Sequence, residues 1–250
     1  MTSAPDASYD AIAEWYDEFV RTEPLLYDVV NPATLRLVEE AGRLRDAIIC
    51  DLACGQGVIA RELAQRGAQV TGIDISERLL ALARSRRVVA PHAISWRRDD
   101  AQVGRTLANV GFDGVVCNMA LMDIPDLAAT LRTVARILRP GGWFVFSITH
   151  PCVQMPDSAW MTRPDGATIR GSGNYFAEGF WQPAGAPGVR GRVGARHRTL
   201  SAYLNTLSDA GLVLEHTAEP VATEALVERM PGYRWLPPAF LARCRKLNDS

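Results

Sequence analysis

Three aspartates, Asp51, Asp74 and Asp100, each follow a short apolar or strand-like run, and the first opens a turn with two glycines, Asp51-Leu52-Ala53-Cys54-Gly55-Gln56-Gly57. Glycine lets backbone approach a ligand where a side chain would collide. An acid about twenty residues beyond such a turn is placed to accept hydrogen bonds from ribose hydroxyls. A nucleoside pocket is the chemistry these residues describe. The glycine spacing alone is less specific, because Gly55-Gln56-Gly57-Val58-Ile59-Ala60 also fits the dinucleotide fingerprint and any tight strand-to-helix turn. For proton transfer at neutral pH the natural candidates are histidines, and His150 stands just after an apolar run with Pro151 behind it, while His197 closes a long irregular stretch. Asp123 is either a group that orients such a base or binds a cationic acceptor, or the N-cap of a helix beginning near Pro125.

Those residues must be held by alternating strands and helices. Strands are expected over 47–50, 69–75, 93–97, 112–118 and 143–149, with helices between them. One helix runs over 58–66 and stops at Gly67, one is capped by Ser76, and one carries Leu127, Leu131, Val134 and Leu138 on a single face before Pro140-Gly141-Gly142. Strands separated by helices imply βαβ units and a parallel sheet. Residues 151–196 lose this pattern to Gly, Pro and aromatics and read as a lid. A helix over 199–210 and a strand over 212–216 follow, and Pro237-Pro238 is read as the start of a last short helix.

Asp51 inside the first turn, the Asp74 strand end, Asp100-Ala101 after the third strand and the Pro-Gly-Gly turn before the fifth, in that order, make the chain resemble the class I S-adenosylmethionine-dependent methyltransferases, bacterial small-molecule type. The resemblance spans roughly residues 9–220, with Ala53 standing where the family commonly has glycine. It implies one α/β domain: a Rossmann-like doubly wound sheet, mainly parallel with an antiparallel strand, an N-terminal helical cover (1–46), a cofactor-binding core (47–150), a lid inserted after strand five (151–198) and a C-terminal helix, strand and tail (199–250). It implies S-adenosyl-L-methionine as cofactor. Asp51, Ala53 and Gly55 would surround its methionine part, Asp74 would accept from the ribose and Ile75 would pack on adenine. Asp100 would meet the adenine amino group, unless a register shift of one residue puts Asp99 there instead. Gly57 and Ala101 count among the cofactor-binding positions. The backbone at Asn118 and Met119 would accept from its ammonium, and Tyr16 would close over its carboxylate.

Methyl transfer is an in-line displacement that needs alignment more than acid or base help, so His150 and Asp123 are the expected catalytic pair only if the acceptor must lose a proton. Segments outside the sheet motifs hold 13 of the 19 aromatic residues. Trp15, Trp160, Tyr175, Phe176, Trp181 and His197 are therefore the expected acceptor wall, for a small aromatic or heteroaromatic metabolite methylated on O, N or C, of the secondary-metabolite kind.

With 27 basic and 28 acidic residues in 250 the chain lacks the footprint of a general nucleic-acid or anionic-membrane binder. The start carries no signal-peptide pattern, and a cytoplasmic monomer or homodimer without metal is expected. The five cysteines read as reduced thiols. Rival readings remain. A short-chain dehydrogenase is excluded because Lys246 is the sole lysine, but other NAD-dependent oxidoreductases are not. A base amino-group methyltransferase is disfavoured by Asn118-Met119-Ala120-Leu121 after the fourth strand. A non-catalytic cofactor-binding protein would have the same fold.

Overall fold

The computed structural model describes residues 9–107, 111–183, 185 and 188–248. Five strands, β1 (Ile48–Leu52), β2 (Gln69–Asp74), β3 (Ser95–Arg98), β4 (Phe112–Asn118) and β5 (Leu138–Thr149), lie parallel in the order β5-β4-β1-β2-β3. Their apolar residues alternate between two faces, as a period of two requires. On β1, Ile49 packs with Leu63 and Leu35, whereas Cys50 and Leu52 pack with Leu131 and Leu207; on β5, Trp143 and Val145 join the first group and Phe144 and Phe146 the second. Helices α1 (Ala13–Thr22), α2 (Asn31–Ala41), α3 (Val58–Gln65) and α4 (Glu77–Ser85) come from the first half of the chain and α5 (Leu127–Ile137) follows β4. The sheet is thus covered by α2 and α3 on one side and by α5 with a later helix on the other.

Local chemistry sets the helix starts. Ser76 Oγ accepts from Leu79 N–H, and Asp126 Oδ1 accepts from Ala129 N–H, so Asp126 rather than Asp123 caps α5. Before α2, residues Leu25–Val30 form a π-helical turn in which Asn31 N–H reaches back to Leu26 O. Pro32 in the first turn of α2 has no N–H to give and would crowd the carbonyl four residues earlier, which accounts for the wider turn.

The lid segment is more ordered than its composition suggests. Strands β6 (Ala159–Thr162) and β7 (Thr168–Gly171) form one antiparallel pair, and β8 (Gly179–Trp181) pairs with β9 (Ala195–His197) across the short helix α6 (Val189–Val193). The helix α7 (Leu200–Asp209) is capped by Thr199 and leads into β10 (Leu212–Ala218). After α8 (Glu224–Arg229) the chain corrects one expectation: Ala239–Lys246 is a strand, β11, not a helix. Pro237-Pro238 ends at the strand rather than opening a helix turn, and β11 inserts antiparallel between β5 and β10. Its alternating burial against both layers outweighs the local proline signal. Because β11 opposes both β5 and β10, β10 runs parallel to the first five strands and β11 is the single antiparallel strand, as expected.

Among the described residues no helix is long and apolar enough to cross a membrane.

Candidate active site

Strand order reverses at β1 and β4, and open α/β sheets bind ligands in the crevice this leaves beyond the carboxyl ends. A cavity lies there, roofed by α1 and the π-helical turn. Of the residues expected to hold a cofactor, Tyr16, Asp51, Ala53, Gly55, Asp74, Ile75, Asp100, Ala101, Asn118 and Met119 line it. Gly57 does not. It sits at φ +77° with a β-carbon position 2.2 Å from the Trp96 ring, so its place is a packing contact under the loop. Ala53 and Met119 both have positive φ, 56° and 55°, a conformation disfavoured for side-chain-bearing residues and held at the two strand tips that face each other across the crevice.

The acids differ in what surrounds them. Asp74 accepts from Gly55 N–H at 2.7 Å and from Ser76 N–H at 2.8 Å, tying the glycine loop to the tip of β2. Burial pushes its carboxyl above the usual range while those amides pull it back. Asp51 is 1% exposed and its Oδ2 has no partner. Burial, with a further push from Asp74, raises it to about 7. Asp99 accepts four hydrogen bonds, from Asp100 N–H, Arg105 N–H and the N–H and hydroxyl of Thr106, so it is spent on its own turn. Asp100 meets only Gln102 and keeps accepting capacity toward the cavity.

Asp123 lines the same cavity. It accepts from Tyr9 Oη at 3.0 Å and forms an ion pair with Arg190 of α6, both partners being largely buried. Burial alone would lower the Arg190 guanidinium, but the Asp123 charge outweighs it and holds the group firmly protonated. His150 lies elsewhere: it is buried against Phe240, its Nδ1 accepts from Cys152 N–H, and its Nε2 faces Glu219 Oε1 at 2.7 Å. It does not line the cavity.

Nor do the six expected acceptor residues. Trp15 stacks on Phe19 under the Arg192 guanidinium, and Trp160 packs edge-on against Tyr233 over Gly232. Tyr175 accepts from Leu200 N–H, His197 Nε2 meets Tyr175 O at 2.8 Å, and Phe176 is 82% exposed. Trp181 and His197 line a separate narrow crevice under the lid. Trp160 and Tyr233 belong to a small separate core with Val29, Val153 and Leu226. The cavity takes Tyr9, Val20, Leu26, Asn31, Ile124 and Pro125 instead. Tyr9 and Asn31 reach it through the N-terminal turns, and no short-range spacing marks them.

The crystal structure of an S-adenosylmethionine-dependent methyltransferase from Mesorhizobium loti superposes with a TM-score of 0.71 and 28% identity, over 90% of this chain and 99% of that one. A methyltransferase-domain family matches residues 50–146, which carry all four sheet motifs. Residues 50–146 are thus a methyltransferase domain, and the chain is similar in fold to S-adenosylmethionine-dependent methyltransferases. Among curated methyltransferases, the ubiquinone biosynthesis O-methyltransferase of Stutzerimonas stutzeri is 34% identical over 142 residues, 56% of this chain and 60% of that protein. The chain thus aligns with little more than half the length of such relatives. A Listeria monocytogenes structure described as a putative S-adenosylmethionine-dependent methyltransferase, at 24% identity and TM-score 0.71 over 87% of this chain and all of that one, shares the fold.

The residues of this methyltransferase cavity fit S-adenosyl-L-methionine. Five aspartates face it, and among its described lining residues there is no Lys, Arg or His. A ligand presenting an ammonium, two ribose hydroxyls and an adenine amino group supplies the donors such a wall lacks, and the unpartnered Asp51 oxygen marks where one is missing. A dinucleotide pyrophosphate would instead meet buried carboxylates at the glycine turn, which is repulsive.

Proposed function

We propose that the protein transfers a methyl group from S-adenosyl-L-methionine to a hydroxyl of a small aromatic molecule. The observation that carries this reading is that one cavity is lined both by acids that suit the cofactor and by the apolar Val20, Leu26, Ile124 and Pro125, with Asp123 and Tyr9 as polar groups beside them. Pockets of that composition hold an apolar ring and orient it by a few polar groups.

The cofactor, when bound, supplies an electrophilic methyl carbon on a sulfonium. The chain's own contribution is placement. Asp74, fixed by Gly55 and Ser76, holds the ribose; Asp100, braced by Gln102, receives the adenine amino group; Asp51 receives the ammonium together with backbone at Asn118 and Met119. Asp123, paired with Arg190 and already accepting from Tyr9, accepts the hydrogen bond of the acceptor hydroxyl, aims its lone pair and takes the proton that the oxygen gives up as it bonds to the methyl carbon. The apolar wall and the roof formed by α1 exclude water from the line of transfer. His150 is not used, because its ring is committed to Glu219 and Cys152.

The aromatic hydroxyl is supported by the O-methyltransferase named among the relatives. That relative belongs to quinone biosynthesis, so it lends nothing to a secondary-metabolite acceptor. The test is incubation of the chain with methyl-labelled cofactor and a panel of phenols and catechols, with products identified by mass. Labelled aryl methyl ethers are expected, and label appearing only in amines or nucleic acid would overturn the reading.

A further inference from the structure

The tips of β4 and β5 carry a hydrogen-bond relay whose directions follow from one fixed donor. The Met119 backbone N–H, which cannot be reversed, donates to Ser147 O and Ser147 Oγ, each at 2.9 Å. A hydroxyl that accepts there has its own proton to give, and Ser147 Oγ gives it to Asn118 Oδ1 at 2.7 Å. Thr34 Oγ1 of α2 donates to the same oxygen at 2.8 Å. Two hydroxyl donors make that atom the carbonyl, so Asn118 Nδ2 points the other way and donates to Asn31 Oδ1 at 2.9 Å. The amide of Asn31 is thereby oriented: its oxygen is taken, and its Nδ2 is left without a protein partner among the described residues, on a residue that lines the cofactor cavity and is 8% exposed.

We infer that Asn31 donates from Nδ2 to the carboxylate of the cofactor's methionine end, with Asn118, Ser147 and Thr34 acting as positioning residues that hold its amide in that sense. This rests on the cofactor reading given above. Among its described lining residues the cavity offers a carboxylate no cation, which leaves neutral donors to meet it. Some of those are spent: Tyr9 Oη on Asp123 and the Gln102 amide on Asp100. Asn31 Nδ2, the Gln56 amide and the hydroxyl of Tyr16 remain, the last kept protonated first by burial and then by the nearby Asp123 charge, and of the three only Asn31 has its donor orientation fixed by a relay. The relay also joins the N-terminal cover to the strand tips, because Thr34 and Asn31 belong to α2 while Asn118 and Ser147 belong to the sheet. It braces Met119 in its left-handed conformation at the same time.

Titration calorimetry with two ligands separates the parts. S-adenosylhomocysteine carries the carboxylate, and 5′-methylthioadenosine keeps the nucleoside without it. Asn31→Asp preserves the acceptor for Asn118 Nδ2 but turns a carboxylate oxygen toward the cavity. It is expected to weaken S-adenosylhomocysteine about tenfold or more, the scale of a hydrogen bond to a charged group, and to leave 5′-methylthioadenosine within about twofold. Thr34→Val, buried and outside the cavity lining, is expected to weaken S-adenosylhomocysteine several-fold, with Thr34→Ser restoring it. Equal losses for both ligands, or none for either, overturn the inference while leaving the cofactor assignment in place. A wild-type chain that binds neither nucleoside refutes both.

Discussion

The carboxylates at the tips of β1 and β2 share a cavity and differ in what the protein gives them. Asp74 has two backbone amides, whereas the Asp51 oxygen Oδ2 has none. The Asp51 carboxyl titrates near 7 in the folded chain against 3.8 as an ordinary group, so the empty folded state holds that proton more tightly than the unfolded one. Its contribution to stability is fully present below about pH 4 and is lost as pH rises through about 7. A ligand ammonium prefers the ionised form, so S-adenosylhomocysteine affinity should rise between pH 6 and 8 with proton release at the low end. Asp51→Asn should flatten that profile, and a wild-type affinity that does not change over this range would count against the ammonium contact. Asp74→Ala removes the acceptor of the Gly55 amide and, in the proposed role, of the ribose hydroxyls, and should weaken the same ligand by ~1–3 kcal/mol. Calorimetry at one pH measures it, and unchanged affinity would refute the ribose role. These acids were legible in the sequence because each sits at a strand end, where direction is set by local geometry. Tyr9 and Asn31 were not, because a π-helical turn and contacts across more than 80 residues put them at the cavity.

At the level of elements, the legible features were those with local causes: the Ser76 cap, the helix over 199–210 and the strand over 112–118 all follow from near-neighbour chemistry. The lid was legible only as a break in pattern, since its short strands pair over distances that composition does not encode. Its far end is stitched to the loop after β4. Arg196 N–H donates to Met122 O at 2.7 Å, Arg198 reaches Leu121 O, Ile124 O and Pro125 O, and Arg190 pairs with Asp123. Asp123, Ile124 and Pro125 of that loop line the cavity, so segment 188–198 and pocket shape are coupled. Removing one partner of a buried pair leaves the other charge uncompensated; with side chains 15% and 18% exposed here, screening reduces the cost to about 1–2 kcal/mol. Arg190→Met should therefore lower the urea midpoint modestly and speed amide exchange over 188–198, while leaving S-adenosylhomocysteine binding nearly intact. Exchange unchanged in that segment would mean the pair does not hold the lid.

Across the whole molecule, the last strand joins parts made far apart in the chain. β11 pairs with β5 from Ala239 to Arg245 and with β10 from Leu241 to Lys246, and its side chains enter both layers: Ala239 and Leu241 on the α2 side, Phe240, Ala242 and Cys244 on the α5 side. Without it, β5 becomes an edge with Phe144, Val145 and Phe146 unprotected, and β10 loses its only strand neighbour among the described residues. Each large apolar side chain left unburied forfeits roughly 1.5–3 kcal/mol, and a domain of this kind has about 5–15 kcal/mol in total. A chain ending at Pro238 should therefore fail to fold cooperatively even though every cofactor-facing residue is retained, and should bind no S-adenosylhomocysteine. Leu241→Lys, which buries a charge in the α2-side layer without shortening the chain, should lower the melting temperature sharply while the few surviving folded molecules bind normally. A truncated chain that melts cooperatively and binds the nucleoside would show instead that the five parallel strands and their helices form a complete core without the C-terminal pair.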